Sequence, residues 1–577
     1  MKLHITKGLL TALILSAGLV HAENKVLTGQ ETAGSGTVNK YLERVTEVQE
    51  WSGSGSDILN YSNNSIKYTT TGNCHAVLSL HKDNYNNGIM PDLTISGYKD
   101  VSFDSNSVET AAALQGTAIH LEGTANKNFG NTCWTVTNNG TVSFNDNTGT
   151  TTQNQGHGGA VYVGGNSSAT ITNNAKVSFE RNSVTAKKYA HGGAIRVTTG
   201  TTNAYNGKAS DLTISNNTDV SFIGNKAEVT DGSWAQGGAI YSTEDTSVDI
   251  NGNTGKVEFI GNGVKGVNYT KGGAIYSKKA STTYAPDSNY LSIRGNHEVL
   301  FQGNYEIDTK ADTYRLRSIY SEKELKLSAN EGGKIEFKDS IYVGTSLSLN
   351  ENYDGKEQTG TIIFSGKTVE NDLNNLIAAN TAEGEEARQA SKTEIDNSRT
   401  SVVSGTITLN AGTLSLQDGA ILQATKVIIA AGATLEITAT SRVESEVLFL
   451  FGDASTDSLV ETTLDADLYM KENSVLKLSD TTFNMNGNDL IIEDNVTFLC
   501  EDISAEGGSI TLFGNVGSVK NSKGEAVEEI TVNGFTVSVN NENGNVVVDV
   551  PSSVPEPTTA TLSLLALAGL CARRRRK

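Results

Sequence analysis

The chain has 577 residues, 58 of them glycine and only 5 proline, and its formal net charge is −20. Such an acidic chain repels nucleic acid and anionic membranes, so the composition argues against a nucleic-acid-binding protein. The length would allow several domains, but one solenoid built from repeats can use the same number of residues.

Residues 1–22 show the order of features that is typical of a secretory signal peptide. Lys2 and Lys7 come first, the apolar segment GLLTALILSAGLV follows, and the residues up to Ala22 fit a small-residue cleavage site. We therefore expect an N-terminal signal helix that is removed by cleavage after Ala22. Residues 23–90 are polar and show no legible repeat, so they are expected to cap the N-terminal end of a solenoid.

Residues 91–345 contain two short motifs that alternate along the chain. The first motif is Val-x-Phe-x-x-Asn, and its phenylalanines recur at intervals of 35 to 43 residues. Its full copies lie at 101–106, 142–147, 177–182, 220–225, 257–262 and 299–304, with a decayed copy at 335–340. The second motif begins Gly-Gly-Ala and lies at 158–163, 192–197, 237–242 and 272–277, with weaker relatives at 116–121 and 317–321. Repetition on this scale is typical of stacked units that cannot bury their apolar faces alone.

The side-chain alternation within each repeat predicts a right-handed parallel β-helix, an all-β fold. In both motifs the Val, Phe and Ile positions alternate with variable polar positions, and no helical periodicity lies between the short strands. We expect the Val, Phe and Ile side chains to stack inward. The Asn after each Phe is expected to form a turn ladder, and the paired glycines to allow a tight bend.

The residue that follows the buried Ile or Val of the second motif is predicted to face outward. Two interpretations stay open for this row: it stacks on a sugar or a protein partner, or it forms a self-stacking ladder worth about 0.2–1 kcal/mol per pair. The row consists of Tyr162, Arg196, Tyr241, Tyr276 and Tyr320.

The tandem GGA(I/V) and FxxN motifs resemble the passenger domain of the chlamydial polymorphic outer-membrane proteins, a group of autotransporter adhesins. The resemblance covers roughly residues 90–340 and depends on the tandem repetition, since either tetrapeptide alone is common. It implies a secreted β-helix that is displayed at a cell surface and is often adhesive. The C-terminal end of the chain departs from that family.

The repeats fade after residue 345. Residues 346–400 are predicted to form an irregular insertion, in which Leu373, Leu376 and Ile377 have helical spacing. From 401 to 550 short strands resume at tighter spacing, which favours a narrower continuation of the solenoid over a separate β-sandwich.

Residues 551–577 form a distinct tail. Val554, Pro555, Glu556 and Pro557 precede a short apolar segment, and Arg573, Arg574, Arg575 and Arg576 follow that segment. This combination resembles a PEP-CTERM sorting signal and implies a sorting helix that is processed near the PEP motif by an exosortase-type membrane enzyme. The apolar segment predicts a transient contact with the inner membrane, and a permanent C-terminal anchor is the alternative.

The sequence shows no convincing catalytic or metal-binding pattern. Gly156-His157-Gly158 is similar to a catalytic segment of polygalacturonases, but His157 is simply the residue that precedes a Gly-Gly pair. No His or Cys spacing supports zinc, and no phosphate loop is present. We therefore expect no catalytic residue, no cofactor and no metal.

The sequence thus predicts an exported, non-enzymatic protein with a structural or adhesive role at the surface, the outer membrane or the extracellular matrix of a Gram-negative-type bacterium. The expected partners are the exosortase-type enzyme and a glycan or protein of the host or matrix, with no nucleic acid. A carbohydrate-active β-helix enzyme and a self-associating matrix component are the alternatives.

Overall fold

The computed structural model describes residues 19–21, 31–34, 43–45, 48–68, 74–81, 90–123, 131–152, 155–199, 210–231, 234–279, 290–438, 440–457, 462–478, 483–500, 508–542 and 544–550. These residues are mostly β-strand, and most of the strands belong to a large sheet in which parallel pairing dominates. The chain forms two compact units. Unit 1 comprises 1–345, 352–358 and 368–399, and unit 2 comprises 346–351, 359–367 and 400–577.

The strands of unit 1 form five ladders, in each of which a strand pairs with the equivalent strand of the next repeat. The first ladder contains Leu19–His21, Val48–Ser52, Asp92–Ser96, Thr132–Thr137, Ser167–Thr172, Ser210–Ser215 and Thr246–Asn251. The second contains Ile58–Asn60, Asp100–Ser102, Thr141–Asn145, Lys176–Glu180, Asp219–Ile223 and Lys256–Ile260. Both ladders continue into two long strands, Leu291–Gln302 and Leu325–Phe337.

The other three ladders of unit 1 follow the same scheme. The third contains Glu31–Gly34, Ser65–Tyr68, Ser107–Thr110, Thr148–Thr151, Ser183–Ala186, Lys226–Val229, Gly263–Gly266 and Tyr305–Asp308. The short fourth contains Cys74–His75, Leu114–Gln115, Gln155–His157, Tyr189–His191 and Trp234–Gln236. The fifth contains Glu43–Val45, Leu78–His81, Ile119–Glu122, Val161–Gly164, Ile195–Thr198, Ile240–Ser242, Ile275–Ser277, Thr313–Ser321 and Ser340–Val343.

The pairing register places like residues of successive repeats side by side. Phe179 pairs with Phe222, which pairs with Phe259, and the two Gly-Gly-Ala-Ile-Tyr copies match at Ile240 and Ile275. All of these pairs are parallel, which is the arrangement expected for a β-helix.

A continuous column of aromatic rings fills the core of unit 1, as the repeats predicted. Neighbouring rings stack with centroids 4.6 to 5.1 Å apart and with planes within 10° of parallel. Every ring is fully buried. The column contains Phe103, Phe144, Phe179, Phe222, Phe259, Phe301 and Phe337.

The asparagines that end the first motif form the predicted ladder. Asn225 is typical: its Oδ1 accepts hydrogen bonds from the backbone N–H and the Nδ2 of Asn182, and its Nδ2 donates to Oδ1 of Asn262 at 2.8 Å. The motif ladder runs through Asn64, Asn106, Asn147, Asn182, Asn225, Asn262 and Asn304. A second amide ladder, which the sequence analysis missed, runs through Asn139, Asn174, Asn217, Asn253 and Asn296.

The motif ladder ends at a carboxylate. Asp339 is fully buried and accepts hydrogen bonds from the backbone N–H of Gly303 and of Asn304, from Asn304 Nδ2 and from Ser318 Oγ. Burial raises the pKa of Asp339 to about 6, although these hydrogen bonds oppose the shift.

Each position of the Gly-Gly pair requires glycine for a different geometric reason. The first glycine, as at Gly192 with φ +71°, has a left-handed backbone that side chains disfavour. The second glycine, as at Gly193, lies so close to the next repeat that a Cβ atom would collide with the carbonyl oxygen of Gly238. The bend is therefore tight both along the chain and between repeats.

Two helices of unit 1 cover an antiparallel hairpin. Helix α1 is Val369–Asn380, α2 is Lys392–Arg399, and the hairpin pairs Tyr305–Asp308 with Thr313–Ser321. On α2, Glu394 accepts a hydrogen bond from the backbone N–H of Tyr314, and Ser398 accepts one from Leu316. Helix α2 therefore blocks part of this strand's edge. The apolar contact joins Ile307, Tyr314 and Leu316 to Val369, Leu373 and Ile377.

Unit 2 pairs its strands in parallel over a shorter repeat. Leu409 pairs with Ile429, Ile429 with Leu450 and Leu450 with Met470, and all four side chains are buried. Its strands are Leu347–Leu349, Thr361–Ser365, Thr400–Leu409, Gly412–Gln417, Ile421–Ile429, Ala433–Thr438, Arg442–Leu450, Asp453–Asp457, Thr462–Met470, Val475–Leu478, Phe483–Asn484, Leu490–Ile492, Thr497–Cys500, Gly508–Gly514, Val519–Lys520, Glu529–Val532, Phe535–Glu542 and Asn545–Val550.

The C-terminal strands of unit 2 correct the expectation of parallel pairing up to residue 550. Glu529–Val532, Phe535–Glu542 and Asn545–Val550 pair antiparallel, and the last of them also pairs antiparallel with Gly508–Gly514. The reason is local: Asn533 and Gly534 have φ values of +50° and +83°, which is the two-residue turn that closes a tight hairpin.

The two predicted targeting helices lie outside the described residues, apart from Leu19–His21, which form a short strand beside Glu50–Ser52. Within the described ranges, no helix is long and apolar enough to cross a membrane.

Replacing Phe222 by Ala should lower the free energy of unfolding of unit 1 by roughly 3–5 kcal/mol, because the ring is fully buried between two others. All three tryptophans belong to unit 1, so tryptophan fluorescence in a urea titration measures this unit. Ile58→Ala, at a side chain that is 39% exposed, is the control and should cost much less. Equal losses in the two variants would contradict the ring column.

Replacing Asp339 by Asn should change how the stability of unit 1 depends on pH. The folded-state pKa is about 6 against an ordinary value of 3.8, so the native state binds the extra proton and wild-type stability falls as pH rises from about 4 to 6. Relative to wild type, Asp339→Asn should therefore gain roughly 2 kcal/mol between pH 4 and pH 7. Urea titrations at both pH values measure this gain, and a constant difference would contradict it.

Candidate functional site

The residues predicted to direct export and sorting lie outside the described residues. They are Ala22, Val554, Pro555, Glu556, Pro557, Arg573, Arg574, Arg575 and Arg576. The structure therefore adds no geometry to the predicted cleavage and sorting sites.

The row predicted to face outward is instead largely buried, which corrects the sequence analysis. We call it the inner column: Tyr162, Arg196, Tyr241, Tyr276 and Tyr320. Tyr162, Tyr241 and Tyr276 are 7%, 4% and 2% exposed, while Arg196 and Tyr320 are partly buried. Most of these rings present no free face to a ligand.

The side chain that precedes each Gly-Gly pair covers the inner column. His191 stacks on Tyr241 with ring centroids 4.3 Å apart, and Lys271 Nζ lies 4.2 Å from the ring centroid of Tyr320. We call the covering residues the corner column: His157, His191, Gln236 and Lys271. Alternation along one strand does not reveal this cover, because it comes from the strand before the bend.

Arg196 shapes the electrostatics of this corner. Its guanidinium carbon lies 5.9 Å from the ring centroid of Tyr162 and 5.4 Å from that of Tyr241, which is cation–π geometry. Burial, and next the charge of Arg196, hold the pKa values of His157 and His191 well below 6.5. Both histidines are therefore neutral at pH 7.

Hydrogen bonds and ion pairs fix the other end of the inner column. The hydroxyl of Tyr276 donates to Oε1 of Glu322 at 2.9 Å, and Lys271 Nζ lies 3.4 Å from the same oxygen. Burial, followed by the charge of Glu322, raises the pKa of Tyr276. The corner is therefore suited to holding its own side chains together.

The structure places the histidine of the polygalacturonase-like segment in the same corner. His157 is 5% exposed and stacks on His191 with centroids 5.4 Å apart. Across the described part of the chain, no group of three or more His, Cys, Asp or Glu side chains is arranged to hold a metal ion. The absence of an enzymatic activity stays a prediction.

A second aromatic row, which sequence reasoning missed, lies at the surface. It occupies the third position before three of the four Gly-Gly pairs, the first pair having Gln155 there, and we call it the outer column: Tyr189, Trp234 and Tyr269. Trp234 is 37% exposed and Tyr269 is 62% exposed. The signal was available in the sequence, since three aromatic residues recur at one offset from the Gly-Gly motif.

A cavity of about 800 Å³ adjoins the outer column. Tyr269 and Lys271 line it together with Arg315, Arg388 and Glu394, so it receives groups from the end of the repeats and from α2 and the segment before it. Arg388 holds Glu394 through two nitrogens, each 2.8 Å from a carboxylate oxygen. Burial alone would raise the pKa of Glu394, but hydrogen bonds from Arg388, Ser391 and Tyr314 lower it to about 2.

Comparison with protein families identifies a match at the C-terminal end of the chain. The PEP-CTERM protein-sorting motif matches residues 553–577. Comparison with the curated proteins and with the solved structures finds no match. The resemblance of the repeats to the chlamydial outer-membrane proteins therefore stays a prediction.

The sorting motif indicates the fate of the chain in general terms. PEP-CTERM signals are processed by exosortase, a membrane enzyme. The motif indicates an exported protein that is sorted to the cell surface or the extracellular space of a Gram-negative-type bacterium.

Protonation of the corner column should destabilise unit 1. The folded-state pKa values of His157 and His191 lie below 6.5, so the unfolded state binds more protons and stability is lost as pH falls through 6.5. A variant with His157→Gln and His191→Gln should lose less stability between pH 7.5 and 5.5, and Gln236 shows that glutamine fits this column. Urea titrations measure the change, with the exposed His297→Gln as the control. Equal losses of stability in the wild type and the double variant would contradict this prediction.

Proposed function

We propose that the chain is a surface-displayed or matrix protein in which a right-handed parallel β-helix has a structural or adhesive role. The sorting motif at residues 553–577 is the observation that carries the proposal, because it indicates export and surface or extracellular sorting. The parallel, in-register ladders of unit 1 support the β-helix, and the right hand follows the strong preference of parallel connections.

The repeated architecture suits a structural or adhesive role. Each repeat contacts mainly its neighbours, so the ladders can extend without the single compact core that limits globular domains. The ring column and the amide ladders bind one repeat to the next throughout unit 1. Such a body keeps long rows of surface side chains at fixed spacing, which is useful for contact with a repetitive partner.

The tail contains separable features for sorting. Pro555 and Pro557 lack backbone N–H donors and disfavour helix, so the VPEP segment stays accessible to a membrane protease. Residues 558–572 would form a helix of about 22 Å, which is short of a hydrocarbon core of roughly 30 Å. Arg573–Arg576 would hold the cytoplasmic end by the positive-inside rule, so contact with the inner membrane is transient.

Replacing Glu556 by Ala, or Arg573–Arg576 by Ser, should leave full-length precursor in the inner membrane or release it unprocessed. The first change removes the carboxylate offered to the processing enzyme, and the second removes the charge that resists translocation. Mass spectrometry of the C-terminal peptide in surface and membrane fractions measures the outcome. Ser552→Ala, one position outside the matched residues, is the control and should be processed normally.

One result would overturn this account of the tail. If wild-type protein extracted from the surface still ends in Arg573–Lys577, the tail is a permanent anchor and not a sorting signal.

A further inference from the structure

The outer column differs from the buried ring stacks in the angle between neighbouring rings. Tyr189 and Trp234 meet edge to face, and Trp234 and Tyr269 meet at 59°, with centroids 5.9 Å apart in both pairs. In the core, the phenylalanine rings cover each other's faces. In the outer column an edge-to-face contact covers at most one face of one ring of a pair, so these contacts leave other ring faces available to an outside group.

Among the described residues, few large apolar side chains are as exposed as Trp234 and Tyr269. Of the three tryptophans, Trp51 and Trp134 are 1% exposed, whereas Trp234 is 37% exposed. Tyr269 is 62% exposed and has a φ of +52°, a left-handed conformation that is strained for a bulky residue. Strained backbone persists where the surrounding structure imposes it, and it is concentrated at binding sites.

Polar groups with unused hydrogen-bonding capacity lie in the cavity beside Tyr269. The guanidinium of Arg315 makes no ion pair or hydrogen bond with any residue in the described ranges, and burial, followed by the charge of Arg317, lowers its pKa. Asp312, whose side chain is 74% exposed, lies at the open side of the same cavity, with one carboxylate oxygen 3.6 Å from Arg388 Nε. The cavity therefore offers donors and acceptors together, next to exposed aromatic faces.

The charges around the cavity are largely balanced. Glu306 pairs with Arg317 and Glu394 pairs with Arg388. The whole chain carries −20, so a polyanion would be repelled at long range. A neutral ligand that is rich in hydroxyl groups fits this combination better than an acidic one.

We propose that the outer column and its cavity bind a neutral polysaccharide. Successive sugar rings pack their C–H faces on Trp234 and Tyr269, and the hydroxyl groups of the chain end hydrogen-bond with Arg315 and Asp312. A regular row of rings fits a polymer of repeating rings. This inference rests on the proposed display of the chain at the surface, where such polymers are accessible.

The test uses the full-length chain and affinity electrophoresis in gels that contain dextran, mannan, xylan or a β-glucan, with alginate as the charged comparison. At least one neutral polysaccharide should retard the chain. Trp234→Ala, Tyr269→Ala and Arg315→Gln should each weaken this retardation by roughly three- to tenfold. Phe535→Ala removes an equally exposed ring in unit 2 and is the control, which should bind as wild type does.

Tryptophan fluorescence gives a second readout on the wild-type chain. Since Trp234 is the exposed tryptophan of the three, acrylamide should quench mainly its emission, and the retarding polysaccharide should protect it. The three substituted side chains lie at the surface or line the cavity, and unchanged urea midpoints will show that the variants are folded. Release of reducing ends in the same mixtures would indicate the enzymatic alternative.

Three results would overturn the inference: no retardation by any neutral polysaccharide, retardation that survives both Trp234→Ala and Tyr269→Ala, or binding to alginate alone. Protease accessibility of the chain on intact cells is measured in parallel. A surface-exposed chain that binds no polysaccharide refutes only this inference, whereas a chain that binds but is never exported refutes the proposed function.

Discussion

The hydrogen bonds of the buried asparagine amides are the interaction on which the architecture of unit 1 depends. At each turn a backbone N–H points into the protein where water cannot reach it, and an Asn of the next repeat accepts its hydrogen bond, as Asn225 does for Asn182. An unsatisfied buried donor would cost about 1–3 kcal/mol, so repeats that slip by one residue are strongly disfavoured. Because these amides fix the register between repeats, the phenylalanines and isoleucines of successive repeats also lie side by side.

Much of unit 1 could be predicted from sequence because the repeats differ by little more than a translation along one axis. Once Phe179 and Phe222 occupy equivalent positions, their stacking follows, and so does that of the asparagines three residues later. The fate of Tyr241 could not be read in this way. The exposure of the Tyr241 ring depends on His191, which belongs to the preceding repeat and stacks on that ring. The alternation of residues within one strand gives no information about a neighbour from another strand.

The departures from parallel pairing have two different explanations. The Asn533-Gly534 turn was legible in the sequence, since this dipeptide between alternating apolar residues is a strong hairpin signal. The hairpin at Thr313–Ser321 was not, because it depends on Glu394 and Ser398 of α2 bonding to its edge from more than 75 residues away. The outer column could be predicted only in part. The sequence shows its aromatic residues at one offset from the Gly-Gly pairs, but it does not show that their side chains are exposed.

The carboxylate at the end of the motif ladder gives the array a direction. From Asn106 to Asn304, every asparagine accepts from the repeat before it and donates to the repeat after it, whereas an ionised Asp339 accepts and has nothing to donate. The ladder therefore ends at Asp339, because an ionised carboxylate cannot donate the hydrogen bond that would join the asparagine of a further repeat in the same register. One side chain thereby ends this ladder.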